Sequence, residues 1–344
     1  MKHNLPYISL AQLPTPFYRL DNISAELKRN IYIKRDDMTG VSLGGNKVRK
    51  LEYLLADAKE KGCDIVMTTG GAQSNHAMLT AACCRRLGIE PILVLKKRGV
   101  MGRKGNLLLE ALMGVDVRFV DTDSYDDVYV EMDRIADELR AAGHKPYLVP
   151  VGGSVPLGTL GYVDCAEEVF GQAKAAGVKI DRVICTAGSG GTVAGMLLGT
   201  MLYGDGASVT GIAVCDDPFE EITAELVTES AKLLGKDIAI TPEQVDIRRY
   251  YGAGYAQPSE EGLEAVKMMA RKEGIMLDPV YTGKTFAGLI DLCRKGEIKE
   301  NETVLFLHSG GAGLVTAQHD ELDVRRPEHL VISLGQHLRR QAVH

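Results

Sequence analysis

Strand-like and helix-like segments alternate along almost the whole chain, and this alternation restricts the available folds more than any other feature of the sequence. Residues 31–34, 64–68, 91–95, 116–120, 146–149, 182–185, 209–214 and 303–307 are short apolar or β-rich runs bounded by turn residues. Between them lie longer stretches with helical spacing or composition: 47–61, 75–87, 106–113, 126–142, 162–176, 192–202, 220–234, 259–273 and 285–295. In the first of these, apolar residues stand at 48, 51, 54, 55 and 58. Gly88, Gly114 and Gly143 follow helical stretches where a left-handed residue closes the last turn. Ser259 is a natural N-cap, but Gly262 stands where a capping box needs Glu or Gln. Parallel strands need a crossover between them, so the pattern predicts parallel sheets covered by helices on both faces. No repeat or low-complexity segment interrupts it. The Pro- and Gly-rich stretch 150–158 is the expected junction between domains. A polar run, 320–328, separates a last segment, 329–344, to which the pattern assigns no element.

The 344 residues are enough for two domains with a large core. A net charge of −6 lacks the basic excess of a nucleic-acid binder. Lys96-Lys97-Arg98 with Arg103-Lys104 is a local exception, either a solvated loop or an attraction for an anionic substrate. The seven cysteines form no metal-like pair and no disulfide framework, which fits small buried hydrophobes in a reducing cytoplasm. The N-terminus has no apolar core of a signal peptide, and no run of apolar residues is long enough to span a membrane.

Six stretches bear on the chemistry. Thr186-Ala-Gly-Ser-Gly-Gly-Thr192 follows a strand and opens an apolar helix, so convergent backbone N–H groups and the helix dipole can cradle a phosphate. It ends in no Gly-Lys-Ser/Thr, and no acidic residue closes the next strand for a ribose. A ligand-free turn is the other reading. In Gly44-Gly45-Asn46-Lys47-Val48-Arg49-Lys50 a lysine opens a helix, where its charge has the wrong sign for the dipole unless an anion lies near. A desolvated lysine becomes a nucleophile or Schiff-base former. The three basic residues cannot share one helix face and are expected to have different tasks. Gly70-Gly-Ala-Gln-Ser-Asn-His76 puts four polar side chains at the C-terminal edge of a parallel sheet, more than an N-cap requires. Finally, Tyr251-Gly-Ala-Gly-Tyr255, Leu277-Asp-Pro-Val-Tyr-Thr-Gly-Lys284 and His308-Ser-Gly-Gly-Ala-Gly313 are turns that each read as structural when taken alone.

In this order, together with Leu13-Pro-Thr-Pro16 and Lys34-Arg-Asp-Asp37, these motifs resemble the fold-type-II pyridoxal-phosphate enzymes. The nearest resemblance is to the D-cysteine desulfhydrase and 1-aminocyclopropane-1-carboxylate deaminase family, and it covers nearly the whole chain. It implies two open, twisted, mostly parallel sheets flanked by helices, as in the tryptophan synthase β chain. A large cofactor-binding domain would comprise residues 1–50 and 158–344, and a small domain, 51–157, would close over the substrate. The resemblance implies that Lys47 carries pyridoxal 5′-phosphate and later moves the substrate's α-proton. Lys50 and the Ala187–Thr192 turn (Ala187, Gly188, Ser189, Gly190, Gly191 and Thr192) would hold the phosphate. Asn75 would bond the phenolic oxygen, and Ser309 would face the ring nitrogen without protonating it. Ser74, Asn75, His76, Tyr255, Tyr281 and Thr282 would meet the substrate, with Ser74 and Tyr281 sharing in catalysis. A homodimer is the expected assembly.

The sequence departs from the family pattern in three places. The deaminases carry Glu after the tyrosine where Thr282 stands, which argues against opening a cyclopropane ring. Ala77-Met78-Leu79 replaces the usual Arg-Gln after the Gln-Ser-Asn-His motif. The 96–104 stretch is more basic than is usual for the desulfhydrases. The expected activity is β-elimination from a small amino acid, with D-cysteine first and L-cysteate second. A racemase on the same scaffold and a phosphate-ligand binder without the cofactor are the rival classes.

Overall fold

The computed structural model describes residues 2–98, 101, 102 and 104–317. The 320–328 run, the 329–344 segment and Arg103 lie outside the described residues. The larger sheet contains β1 (Phe17–Arg19), β2 (Asn30–Arg35), β7 (Arg182–Ala187), β8 (Ser208–Ala213), β9 (Asp246–Arg249) and β10 (Thr303–His308), in the order β1-β2-β10-β7-β8-β9. Only β1 runs antiparallel to its neighbour. The smaller sheet is wholly parallel and contains β3 (Ile65–Gly71), β4 (Glu90–Lys96), β5 (Asp116–Val120) and β6 (Pro146–Val149), in the order β5-β4-β3-β6.

Helices cover both faces of each sheet, because successive side chains of a strand point to opposite sides. In the larger sheet Ile184, Val304 and Phe306 pack towards α1 (Asp21–Leu27), α9 (Glu260–Glu273) and α10 (Thr282–Arg294). Val183, Cys185, Leu305 and Leu307 point the other way, to α6 (Pro156–Ala175), α7 (Gly191–Tyr203) and α8 (Phe219–Leu233). In the smaller sheet Ile65, Met67, Ile92 and Val94 meet α5 (Tyr125–Ala141). On its other face Val66 packs with α2 (Lys47–Glu60) and α3 (Asn75–Leu87). Two short helices, α4 (Gly105–Leu112) and α11 (Ala312–Ala317), complete the described chain.

Gly88 closes α3 in the left-handed conformation at φ 71°, as its position predicts. The largest difference from expectation lies at 150–158. This stretch runs from β6 of the smaller sheet to α6 against the larger one, and α6 starts within it at Pro156, six residues before the expected helix at 162. Proline suits the first turn of a helix because its missing N–H has no intrahelical partner there. Likewise α10 starts at Thr282, three residues before the expected 285. The strands β1 and β9 were not expected. Each is short, and β9 reads Asp-Ile-Arg-Arg with only Ile247 buried, so neither shows an apolar run.

Candidate active site

The loops that leave the C-terminal ends of β3, β5, β6, β7, β8 and β10, with Lys96 at the end of β4, converge on one cavity of about 640 Å³ between the two sheets. Open parallel sheets place ligands at this edge. Lys47, the first residue of α2, lines the cavity. Burial holds its ammonium down to about 8, well below the ordinary lysine value. Among the described residues neither Lys47 nor Lys50 has an ion-pair partner.

The basic residues of the Lys47–Lys50 turn have three separate destinations. Arg49 points away from the cavity into a buried cluster, with its Nε 2.7 Å from Asp36 Oδ2 and its Nη2 2.9 Å from Glu168 Oε1. Lys50 is fully buried beneath the 188–192 turn, its Nζ donating to Gly152 O and Ser154 Oγ, each at 3.1 Å. A Cβ built on Gly191 would lie 2.7 Å from that Nζ, so only glycine lets the ammonium approach the start of α7. Burial and the neighbouring Lys47 push the Lys50 pKa well down. Gly188, Ser189, Gly190 and Thr192 line the cavity above it. Ser154, absent from the sequence-based site, joins them by accepting from Gly191 N at 3.2 Å and pairing with Ser189 Oγ at 2.9 Å. Two desolvated lysine side chains beside a glycine-rich helix start lack a negative charge among the described residues, and a phosphate-bearing aldehyde fits that need. Ala187 and Gly191 support this turn from behind and do not line the cavity.

The loop after β3 brings Ser74, Asn75 and His76 to the opposite wall. Ser74 also caps α3, accepting from Ala77 N at 3.2 Å. The Thr68 hydroxyl donates to Val149 O at 2.8 Å, so it accepts from His76 Nε2 at 2.8 Å. His76 is thus a neutral donor, and burial with Lys47 and Lys50 nearby pushes its pKa well down. Ser309 follows β10 into the cavity. Tyr255 and Tyr281 line the far side, their hydroxyls 2.5 Å apart. Lys284, buried on α10, donates to Tyr251 O at 2.8 Å and Gly254 O at 2.9 Å, holding the loop that carries Tyr255.

Thr282 requires a correction. It is fully buried and off the cavity, its Oγ1 donating to Asp278 Oδ2 at 2.6 Å and accepting from Asp278 N at 2.8 Å. The cavity residue of that motif, besides Tyr281, is Asp278, which also accepts from Tyr281 N at 2.7 Å. The Ala77-Met78-Leu79 departure is buried in the core of the smaller sheet and changes no cavity wall. Of the basic 96–104 stretch, Lys96 reaches the cavity, its Nζ 3.7 Å over the Tyr125 ring. Arg98 is exposed and paired with Asp121 and Asp123, as a solvated loop predicts. Asp123, Asp126, Cys215 and Asp217 also border the cavity, and no sequence motif marked them. Among the described residues no group of His, Cys, Asp or Glu is placed to hold a metal ion.

The family model described as pyridoxal-phosphate dependent enzyme matches residues 8–310. The chain is 44% identical over 310 residues to a Pyrococcus horikoshii protein provisionally named 1-aminocyclopropane-1-carboxylate deaminase, covering 89% of this chain and 92% of that one. It is 38% identical over 322 residues to the D-cysteine desulfhydrase of Klebsiella pneumoniae, covering 92% and 97%. The crystal structure of an ACC deaminase homologue superposes with a TM-score of 0.87 at 41% identity, covering 93% of this chain and 96% of that one. Threonine deaminase isoform 2 from Solanum lycopersicum shares the fold, with a TM-score of 0.62 at 18% identity over 89% of this chain and 80% of that one.

Proposed function

The chain belongs to the pyridoxal-phosphate dependent enzymes, and from that premise we propose that it eliminates the β-substituent of a small amino acid, with D-cysteine as its first substrate. One observation carries this reading: Lys47, with its pKa held to about 8 and no ion-pair partner among the described residues, shares a cavity with a glycine-rich anion cradle and the neutral hydroxyl of Ser309.

When bound, the cofactor supplies an electron sink for the carbanion left by α-deprotonation. Lys47 tethers it and then takes the α-proton on Nζ. Lys50, Ser154 and the 188–192 turn hold the phosphate. Asn75 would meet the phenolic oxygen, and Ser309 the ring nitrogen. Ser74 would bind the substrate carboxylate through its hydroxyl, and His76 through its backbone N–H, since its one ring N–H goes to Thr68. Tyr281, backed by Tyr255, would border the β-substituent and give its phenolic proton to the departing sulfur, to be reprotonated from solvent. The Cα–H and Cβ–S bonds break, the sulfur leaves as hydrogen sulfide, and water releases pyruvate and ammonia. In this reading residues 51–157 form the domain that closes over the substrate, and the enzyme works as a cytoplasmic homodimer.

A second reading, elimination of sulfite from L-cysteate, is favoured by Lys96 at the cavity wall. A racemase would interconvert enantiomers without releasing pyruvate. Purified enzyme loaded with cofactor and offered D-cysteine, L-cysteate, β-chloro-D-alanine and 1-aminocyclopropane-1-carboxylate decides among these. Pyruvate and sulfide from D-cysteine are expected, together with a visible absorbance band that Lys47→Ala abolishes. No pyruvate from the three β-substituted acids would overturn the elimination reading, and 2-oxobutyrate from the cyclopropane acid would select the deaminase. If Lys96 selects a sulfonate, Lys96→Met lowers kcat/KM for L-cysteate at least tenfold more than for D-cysteine.

A further inference from the structure

Asn106 is fully buried on α4 and outside the cavity, and none of the chemistry above uses it. Its surroundings are specific. Its Nδ2 donates to Asn75 Oδ1 at 2.8 Å and to Gln73 O at 2.9 Å. Its backbone N–H donates to Gln73 Oε1 at 2.8 Å. Three hydrogen bonds thus join the first turn of α4 to the loop after β3. Gly313 closes the other side, where an added Cβ would stand 2.2 Å from Asn106 Oδ1. Both amide protons of Asn106 are committed, and these two bonds set the orientation of the group.

The consequence falls on Asn75. Its carboxamide has one accepting end and one donating end, and Asn106 occupies the accepting end. The half-buried Asn75 must therefore present its N–H pair to the cavity it lines. We infer that Asn106 is a positioning residue, fixing the Asn75 amide so that it donates to the cofactor's phenolic oxygen and cannot turn its own oxygen there. This rests on the functional reading above. A donated hydrogen bond stabilises the anionic oxygen and lowers the proton affinity of the Lys47 nitrogen tethered beside it. Lys50 and His76, the other titratable groups that interact with Lys47, are held by Gly152, Ser154 and Thr68 and not by Asn106.

The test is a pH titration of the visible absorbance of the loaded enzyme. Asn106→Ala is expected to raise the midpoint by at least half a unit and weaken cofactor retention about fivefold or more. Asn75→Ala is expected to do the same. The double variant is expected to match Asn75→Ala alone, because Asn106 acts only through that amide. Asn106→Ser repeats the measurement if Asn106→Ala folds poorly by circular dichroism. An unshifted midpoint in the Asn106 variants overturns the inference, and so does a further shift when Asn106→Ala is added to Asn75→Ala. Loss of the visible band from the unaltered enzyme would instead overturn the functional reading.

Discussion

Burial gives Lys47 and Glu110 opposite relations to pH. Lys47 loses its proton at about 8 in the folded protein, so its amine is free at moderately alkaline pH. The rate at which apo-protein takes up pyridoxal phosphate, followed by visible absorbance, should rise about tenfold per pH unit and level off near 8. A rise that continues to the ordinary lysine value would contradict the desolvated setting. Glu110 is fully buried on α4, and among the described residues neither carboxyl oxygen has a hydrogen-bond partner. Burial raises its pKa to about 8, so the folded state keeps a proton that the unfolded state releases above the ordinary carboxylate range. Its contribution to stability therefore falls as pH rises from about 4 to about 8, by a few kcal/mol in all, and is constant above that. Urea unfolding at pH 5.5 and 8 should show this decline, and Glu110→Gln should flatten it. The sequence marked Lys47 through its glycines and the wrong sign of its charge. Nothing marked Glu110, because an acidic residue in a helical stretch reads as exposed until the fold buries it.

At the scale of elements, period and caps were legible and starting points less so. Ser259 accepts from Gly262 N at 3.1 Å and caps α9 alone, without a box. Ser259→Ala should cost about 1 kcal/mol, read as a lower urea midpoint with an unchanged slope. The close approach of α6 and α7 was not legible. A Cβ on Gly199 would stand 2.4 Å from Ala166 Cβ, and one on Gly195 would stand 2.5 Å from Thr159 O. Gly199→Val should cost about 1–3 kcal/mol through overpacking, lowering the melting temperature by several degrees. In the sequence both glycines sit inside an apolar helical run, where they look like weak spots. Only the partner helix shows that they are contacts. The early start of α6 inside the 150–158 stretch was missed for a related reason. Proline and glycine signal a turn, but that a helix begins within it, and that the turn also lines the cavity, depends on what lies across from it.

For the whole molecule, the cavity draws its walls from both sheets, so a ligand that fills it binds only the folded arrangement. Saturating pyridoxal phosphate should raise the melting temperature, and an excess of a hundredfold over Kd corresponds to about 2.7 kcal/mol. Lys47→Ala should reduce the gain, and an unchanged melting temperature in wild-type protein would argue against a cofactor seated between the sheets. By itself the sequence determined the α/β class, the parallel strands and the glycine-rich turns at their ends. These rest on local chemistry: side-chain period, backbone freedom and helix capping act between residues close in the chain. It also marked Lys47, Ser74, Asn75, Tyr255, Tyr281 and Ser309, all of which line the cavity. The tertiary structure alone decided that Thr282 turns to Asp278, that Arg49 leaves the site for Asp36, and that Ser154 and Lys96 enter it. Those outcomes depend on which distant segment supplies the partner for each polar group, and that is settled only when the two sheets are brought together.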